Sequence, residues 1–305
     1  MSIIKRGLRR ALRPALAKAS TFINLSVPKV ELESGYQQIQ RSLTTQYAIC
    51  RAQKIVPYPN IRDASFRAYS QFEEDGIILY VLSMIGFGTK RVVEICCGTG
   101  DECMATNLIL HHGYEGFLFE GDENHVGSAN AFFRGKLKAP AEGGFRRPTI
   151  KQAWITAENV NELLTESGCV GEVDLLSIDV DGNDYWILKA LDAISPRLIV
   201  IETMNIIPGD LSRTIPYRPD FDYRKAPSED FRGVSLLAVS RFCGARGYRL
   251  IGSHCDGFNA FFLRNDEGQE IFPEVSIQSV HNNPYTRWSQ AVRWPVVKDM
   301  PWTEV

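Results

Sequence analysis

A chain of 305 residues has room for one large domain or two small ones, and 44% hydrophobic with 23% charged residues is an ordinary globular composition that needs no disulfide staple. A net charge of −2 excludes a general affinity for nucleic acid. Seven cysteines without a CxxC pair argue against a zinc site and for reduced, mostly buried thiols in the cytoplasm.

The first 30 residues stand apart. They hold Lys5, Arg6, Arg9, Arg10, Arg13, Lys18 and Lys29 and no acid, which makes this segment +7 and the remainder −9. Ile4, Leu8, Ala11, Leu12 and Leu16 recur at helical spacing, so residues 1–20 read as a basic amphipathic helix broken near Pro14. It is a solvated leader, a peripheral contact with an anionic membrane surface, or an organelle-targeting sequence. It lacks the apolar core of a secretory signal, and no run of 18 apolar residues exists to span a membrane.

Residues 20–60, punctuated by Pro28, Pro57 and Pro59, read as an arm with a short helix near 36–52. The expected boundaries are 1–60 for the basic helix and arm, 61–270 for the main domain, whose packed part begins near Ser65, and 271–305 for a tail without a clear period. Residues 73–85 form an amphipathic helix that leads into an apolar strand over 91–95. A turn at Gly98 and Gly100 follows, then a helix over 102–112 and a strand over 116–119 that ends in Glu120. A helix over 124–138 and a loop over 139–148 precede a third strand over 150–155. Thr156 is placed to cap a helix over 158–166. The strand over 173–178 runs into Asp179, Asp181, Gly182, Asn183 and Asp184, and a helix over 185–191 returns. The run 197–201 ends in Glu202. A long Pro- and aromatic-rich loop over 206–230 and a helix over 231–245 then lead to two strands, 248–252 and 259–263. Asp256-Gly257 between them is a hairpin signal.

Alternation of strand and helix implies a doubly wound parallel sheet covered on both faces, and the final hairpin forces one antiparallel strand. A seven-stranded Rossmann-like sheet closed in this way is the class I methyltransferase arrangement. A nicotinamide-binding domain ends its sheet with parallel strands. An acid 20 residues past Gly100, at the tip of the second strand, is the layout of a site for an adenosine-containing cofactor. Glycine admits the ligand to the backbone, a helix N-terminus offers free N–H groups to a carboxylate, and Glu120 accepts from ribose hydroxyls.

The ordered motifs Ser70 to Gly76 (SQFEEDG), Val93-Glu94-Ile95 with Gly98-Thr99-Gly100, Leu118 to Gly121 (LFEG), Asp174 to Tyr185 (DLLSIDVDGNDY), Pro196-Arg197 to Glu202 and Asn259 to Phe262 (NAFF) resemble the FkbM-type S-adenosylmethionine-dependent methyltransferases over residues 65–265. The resemblance implies a methyltransferase acting on the oxygen of a sugar, glycan or secondary-metabolite hydroxyl. Gln71, Glu94, Gly98, Gly100, Glu120, Asp122, Trp154, Thr156 and Asp179 are the candidate cofactor residues. Glu94 either meets the methionine end of the cofactor or makes a structural hydrogen bond, and Trp154 is either an adenine contact or core. Two departures from the family pattern are Cys96-Cys97 before the glycines and Asn205 three residues, not two, after Glu202.

Acids at strand C-termini face the ligand crevice of an open parallel sheet. Asp179, Glu202 and Asn205 are candidate ligands for Mg²⁺, which prefers hard oxygen donors. Without a metal, Asp179 or Asp181 serves as general base, with His254 as a further candidate. Asp181 and Asn183 also suit helix capping without chemistry. Cys96 and Cys97 read as buried fillers. Tyr217, Phe221 and Tyr223 are the candidate acceptor wall. The rival readings are a non-catalytic binding or scaffold protein that retains the fold, and an NAD-dependent oxidoreductase. The expected partner is a small-molecule or saccharide acceptor and not nucleic acid, since residues 61–270 carry no basic stripe.

Overall fold

The apolar runs of the sequence become the central strands, and their side chains alternate between two cores. In the computed structural model, which describes residues 29–137 and 146–305, β1 (Arg91–Ile95) pairs in parallel with β2 (Glu115–Glu120) and β4 (Gly171–Ile178). β3 (Thr149–Gln152) extends the sheet beyond β2, and β5 (Ile194–Glu202) lies beyond β4. β8 (Asn259–Arg264) then runs antiparallel to β5, and its hairpin partner β7 (Tyr248–Ser253) closes the edge. The resulting seven-stranded order is β3-β2-β1-β4-β5-β8-β7. Parallel strands ordered outward from β1 and β4, with a terminal antiparallel hairpin, are the class I Rossmann-like arrangement. A small second sheet pairs β6 (Arg213–Thr214) with β9 (Thr303–Glu304). The basic segment 1–20 and most of the 139–148 loop lie outside the described residues.

Successive residues of a strand point to opposite faces. Val93, Leu176, Ile199 and Phe262 therefore join one core, with α5 (Val160–Glu166), α6 (Asp184–Ala190) and α7 (Leu236–Ala245). Val92, Leu175, Leu198 and Phe261 join the other, with α2 (Glu74–Ile85), α3 (Thr106–His112) and α4 (Glu123–Lys136). At the end of the sheet away from the crevice, Asp174 accepts from the backbone N–H groups of Gly88, Thr89 and Lys90, from the Tyr114 hydroxyl and from Arg197. Those donors satisfy a fully buried carboxylate and fix the chain as it enters β1.

Chain contacts divide the molecule into Met1–Gln46 and Tyr47–Val305, and helix α1 (Lys29–Gln53) crosses that boundary. The arm helix is thus longer than the expected 36–52. The segment read as a tail is folded: α8 (Ile277–His281), α9 (Pro284–Val292) and α10 (Trp294–Val297) follow one another, and Phe272, Val280 and Val297 are buried. Helices α5 and α7 start later than their composition suggests. Gly233 at φ +64 and the Ser235 cap delay α7, and Asn159 rather than Thr156 occupies the cap position of α5.

Candidate functional site

The site begins where β1 stops. Cys96 (φ +73), Gly98 (φ +55) and Gly100 (φ +82) carry the chain through a left-handed turn. A Cβ on Gly98 would meet nothing within 4 Å, so the turn is open there, whereas a Cβ on Gly100 would lie 3.0 Å from the Phe133 ring and pack against α4. The helix beyond it starts at Thr106 and not at residue 102, because side chains hold the intervening loop. Glu94 accepts from the N–H groups of Met104 at 3.0 Å and Ala105 at 2.6 Å and from the Cys103 thiol at 3.1 Å. Both oxygens of Glu94 are engaged and it is buried, with burial pushing it up to about 7. These bonds are the structural role that the sequence offers beside a contact with the methionine end of the cofactor.

Glu120, at the tip of β2, is buried beside that turn. Its Oε2 accepts from Gly98 N–H at 2.8 Å and its Oε1 from Asp122 N–H at 2.9 Å. Asp122 turns away and caps α4 by accepting from the N–H groups of Asn124 and His125, bonds that hold its carboxyl below the usual range. The sequence places Asp122 among the candidate cofactor residues; the structure gives it this capping role through one carboxylate oxygen.

Next to Glu120 opens a cavity lined by Cys96, Trp154, Ile155, Val180 and Phe221. Trp154 is half exposed, and its indole N–H donates to Pro219 O at 2.8 Å, which fixes the ring as a wall. Phe221 comes so close to Gly182 that a Cβ there would lie 2.4 Å from the ring. Thr156 lies outside this lining: its N–H donates to Asn159 Oδ1, and Ile155 takes its expected place. Cys96 is exposed to the cavity and not a buried filler. Burial of its sulfur, then the charges of Glu120 and Asp179, push its thiol far up, so it remains protonated.

On the other side of Cys96, β4 and β5 deliver three acids. One carboxylate oxygen each from Asp179, Asp181 and Glu202 lies within 4.8 Å of the others. Asp181 adopts φ +55, an uncommon strain for a residue with a side chain. Arg232 donates to Asp181, approaches Glu202 at 3.9 Å and stacks 4.8 Å from the centre of the Tyr223 ring. Arg232 thus bridges two of the three acids and draws on the charge of the third. Burial, then the charges of Glu202 and Asp181, push Asp179 well up. Burial pushes Glu202 up to about 8 against the opposing pull of Arg232. Like charges this close disfavour one another's ionisation, which adds to burial in raising both carboxyl groups. Asp184, the fourth acid of this cluster in the sequence, accepts instead from Val180 and Gly182 N–H and holds the loop.

A second, polar crevice continues past the acids, lined by Gln71, Phe72, Glu202, Arg232, Phe258 and Tyr285. Gln71 therefore lies on this side and not in the cavity beside Glu120. Asn205 lines this crevice with Glu202, and its amide nitrogen donates to Asp256 O at 2.9 Å and Thr286 Oγ1 at 3.3 Å, tying two loops together. His254 is fully buried, stacked 5.1 Å from Phe72 and edge-on to Phe258, with Nδ1 accepting from Asn259 N–H. Burial lowers its pKa, and the rings seal it from the crevice, which excludes the expected base role in this conformation. The 206–230 loop also divides differently from expectation. Phe221 walls the cavity next to Glu120, Tyr223 carries Arg232, and Tyr217 bonds Glu158 and Ala157 N–H.

Arg232 was not singled out in the sequence, although it organises the acids. A lone arginine 30 residues past Glu202, just after a loop, has no local signal that names its partners.

No family model matches the chain, and no curated protein matches it in sequence. Among solved structures, the chain is similar to magnesium protoporphyrin IX methyltransferase of Synechocystis PCC 6803 with bound S-adenosylmethionine, at 14% identity over 79% of this chain and 86% of that one, with a TM-score of 0.35. It is also similar to an O-methyltransferase of Bacillus cereus in complex with S-adenosylhomocysteine, at 13% identity over 73% of this chain and 89% of that one, with a TM-score of 0.38. At that distance the argument for the fold is the strand order itself.

Proposed function

We propose that the protein is an S-adenosylmethionine-dependent methyltransferase of the FkbM kind that methylates a hydroxyl of a saccharide or similar small acceptor. The observation that carries this reading is the cavity between Trp154 and Phe221, opening beside a buried Glu120 and the open backbone at Gly98. Two aromatic walls suit a flat base, and a carboxylate with lone pairs to spare suits a vicinal diol. The terminal hairpin favours this class over a nicotinamide enzyme.

S-adenosylmethionine supplies a methyl group already made electrophilic by its sulfonium, so no covalent enzyme intermediate is needed. The protein's own part is positioning and proton transfer. Trp154 and Phe221 hold the base, Glu120 the ribose, and the Gly98 turn admits the remaining chain. The Asp179–Glu202 pair, its basicity raised by burial and mutual repulsion, takes the proton of the acceptor hydroxyl. Arg232 keeps the pair from becoming fully protonated, and Asp181 keeps Arg232 in place. Gln71, Phe72 and Tyr285 border the crevice from which the acceptor approaches.

A second reading has Asp179, Asp181 and Glu202 holding Mg²⁺, which would lower the hydroxyl pKa directly. The donor set suits a hard cation, but Arg232 already occupies Asp181, so a metal would have to displace it. Activity unaffected by EDTA supports the metal-free reading; activity abolished by EDTA and restored by Mg²⁺ would replace it. The family reading is tested by calorimetry with S-adenosylhomocysteine. Micromolar binding supports it, and no binding by folded protein would leave the scaffold reading.

A further inference from the structure

Asn183 stands at the cap position of α6, where an asparagine ordinarily accepts from the first turn of its helix, yet it makes no capping bond. Asp184 holds that turn instead, accepting from the N–H groups of Val180 and Gly182. The Asn183 side chain reaches into the 206–230 loop, where its Nδ2 donates to Arg218 O at 2.7 Å. Arg218 O also accepts from the Phe221 N–H at 3.0 Å, and the next carbonyl, Pro219 O, accepts from the Trp154 indole. Two neighbouring carbonyls thus hold Asn183, Trp154 and Phe221 to one short stretch of loop, and all three line the cavity beside Glu120.

The bond to Arg218 settles which way the amide faces. A carbonyl only accepts, so the inverted amide would set oxygen against oxygen at 2.7 Å. Oδ1 therefore points away from Arg218 O. The residue is 4% exposed, and Oδ1 is buried and meets no donor among the described residues. A buried acceptor left without a donor is uncommon and asks for a partner. A flat base between Trp154 and Phe221 turns its edge to the cavity wall. On the edge of adenine the ring nitrogens accept and the 6-amino group donates. We propose that Asn183 Oδ1 accepts from the 6-amino group of the cofactor's adenine and so selects adenine over 6-oxo purines. This rests on the methyltransferase reading. Oδ1 is sealed from water in this conformation, so the base meets it as the cavity opens. A 6-oxo base would set one acceptor against another at that point. Asn183 is then a specificity-determining residue supplied by the turn after β4, apart from the candidates Trp154 and Thr156 that follow β3.

The test is calorimetry of the full chain with S-adenosylhomocysteine and S-inosylhomocysteine, which differ in a 6-amino against a 6-oxo group. The parent is compared with Asn183→Ala and Asn183→Asp, each checked for cooperative thermal unfolding. If Asn183→Ala does not fold, Asn183→Leu, which refills its space, is read in its place. The parent is expected to prefer the adenosyl ligand about tenfold or more, the scale of a hydrogen-bonding site facing the wrong group. Asn183→Ala should cut that preference to about threefold or less, because the acceptor is gone. Asn183→Asp, which keeps an acceptor and loses the donor to Arg218 O, should retain it. A preference as large in Asn183→Ala as in the parent, with both ligands weakened alike, would leave Asn183 holding the loop alone and overturn the proposal. Loss of the preference in Asn183→Asp would assign it to the Arg218 bond and overturn it too. A parent that binds both ligands equally would overturn it while leaving the methyltransferase reading in place. A folded parent that binds neither would overturn that reading and this one with it.

Discussion

The two halves of the crevice treat their acids in opposite ways. On the β1–β2 side, Glu94, Glu120 and Asp122 each accept from at least two main-chain N–H groups, with bonds of 2.6 to 3.3 Å. On the β4–β5 side, Asp179, Asp181 and Glu202 face one another around the Arg232 guanidinium. The first arrangement fixes a loop and leaves lone pairs for a neutral polar ligand. The second is electrostatically unsatisfied, which raises carboxylic pKa values toward the range where proton transfer is effective. Acids that look alike in sequence are thus separated by what donates to them.

The largest effect should come from the unsatisfied half. Asp179→Asn removes half of the proton-accepting pair and is expected to reduce methyl transfer about 10²- to 10⁴-fold, the usual contribution of a general base. A single-turnover assay checks this, and a rate near that of the parent would move the base elsewhere. The satisfied half should respond in stability. Glu94→Ala strips the acceptor from two buried N–H groups and is expected to cost about 2–4 kcal/mol in denaturant unfolding. A loss below about 0.5 kcal/mol would contradict the loop-fixing role.

A smaller effect sharpens the role of Arg232. A carboxyl held near 8 is protonated below that value, so the base form accumulates and the rate rises as pH increases through it. Arg232 holds the pair down, so Arg232→Gln should move this limb upward by about one pH unit or more. A pH–rate profile that stays in place would remove Arg232 from the pair's electrostatics.

Much of this division was legible beforehand. The alternation of strand and helix, the terminal hairpin, the glycine turn, Glu120 and the acid cluster after β4 could be read because each depends on a pattern within a short stretch of chain. What escaped the sequence depends on partners far apart along the chain. Asp181 and Arg232 are 51 positions apart, and Asn205 is drawn to Thr286, 81 positions away. His254 sits at a strand end, where a catalytic residue is plausible, but its access is decided by Phe72, which no local pattern reveals. The last 35 residues showed no expected period because α9 buries its polar side and exposes its apolar one.

The most direct test of the division is calorimetry with S-adenosylhomocysteine on Glu120→Gln and Asp179→Asn side by side. The account predicts that Glu120→Gln weakens binding by about 1.5–3 kcal/mol, the value of hydrogen bonds to a charged group, while Asp179→Asn stays within about 0.5 kcal/mol of the parent. The reverse pattern would contradict it, because Asp179 would then be a cofactor ligand and Glu120 only a support for the turn.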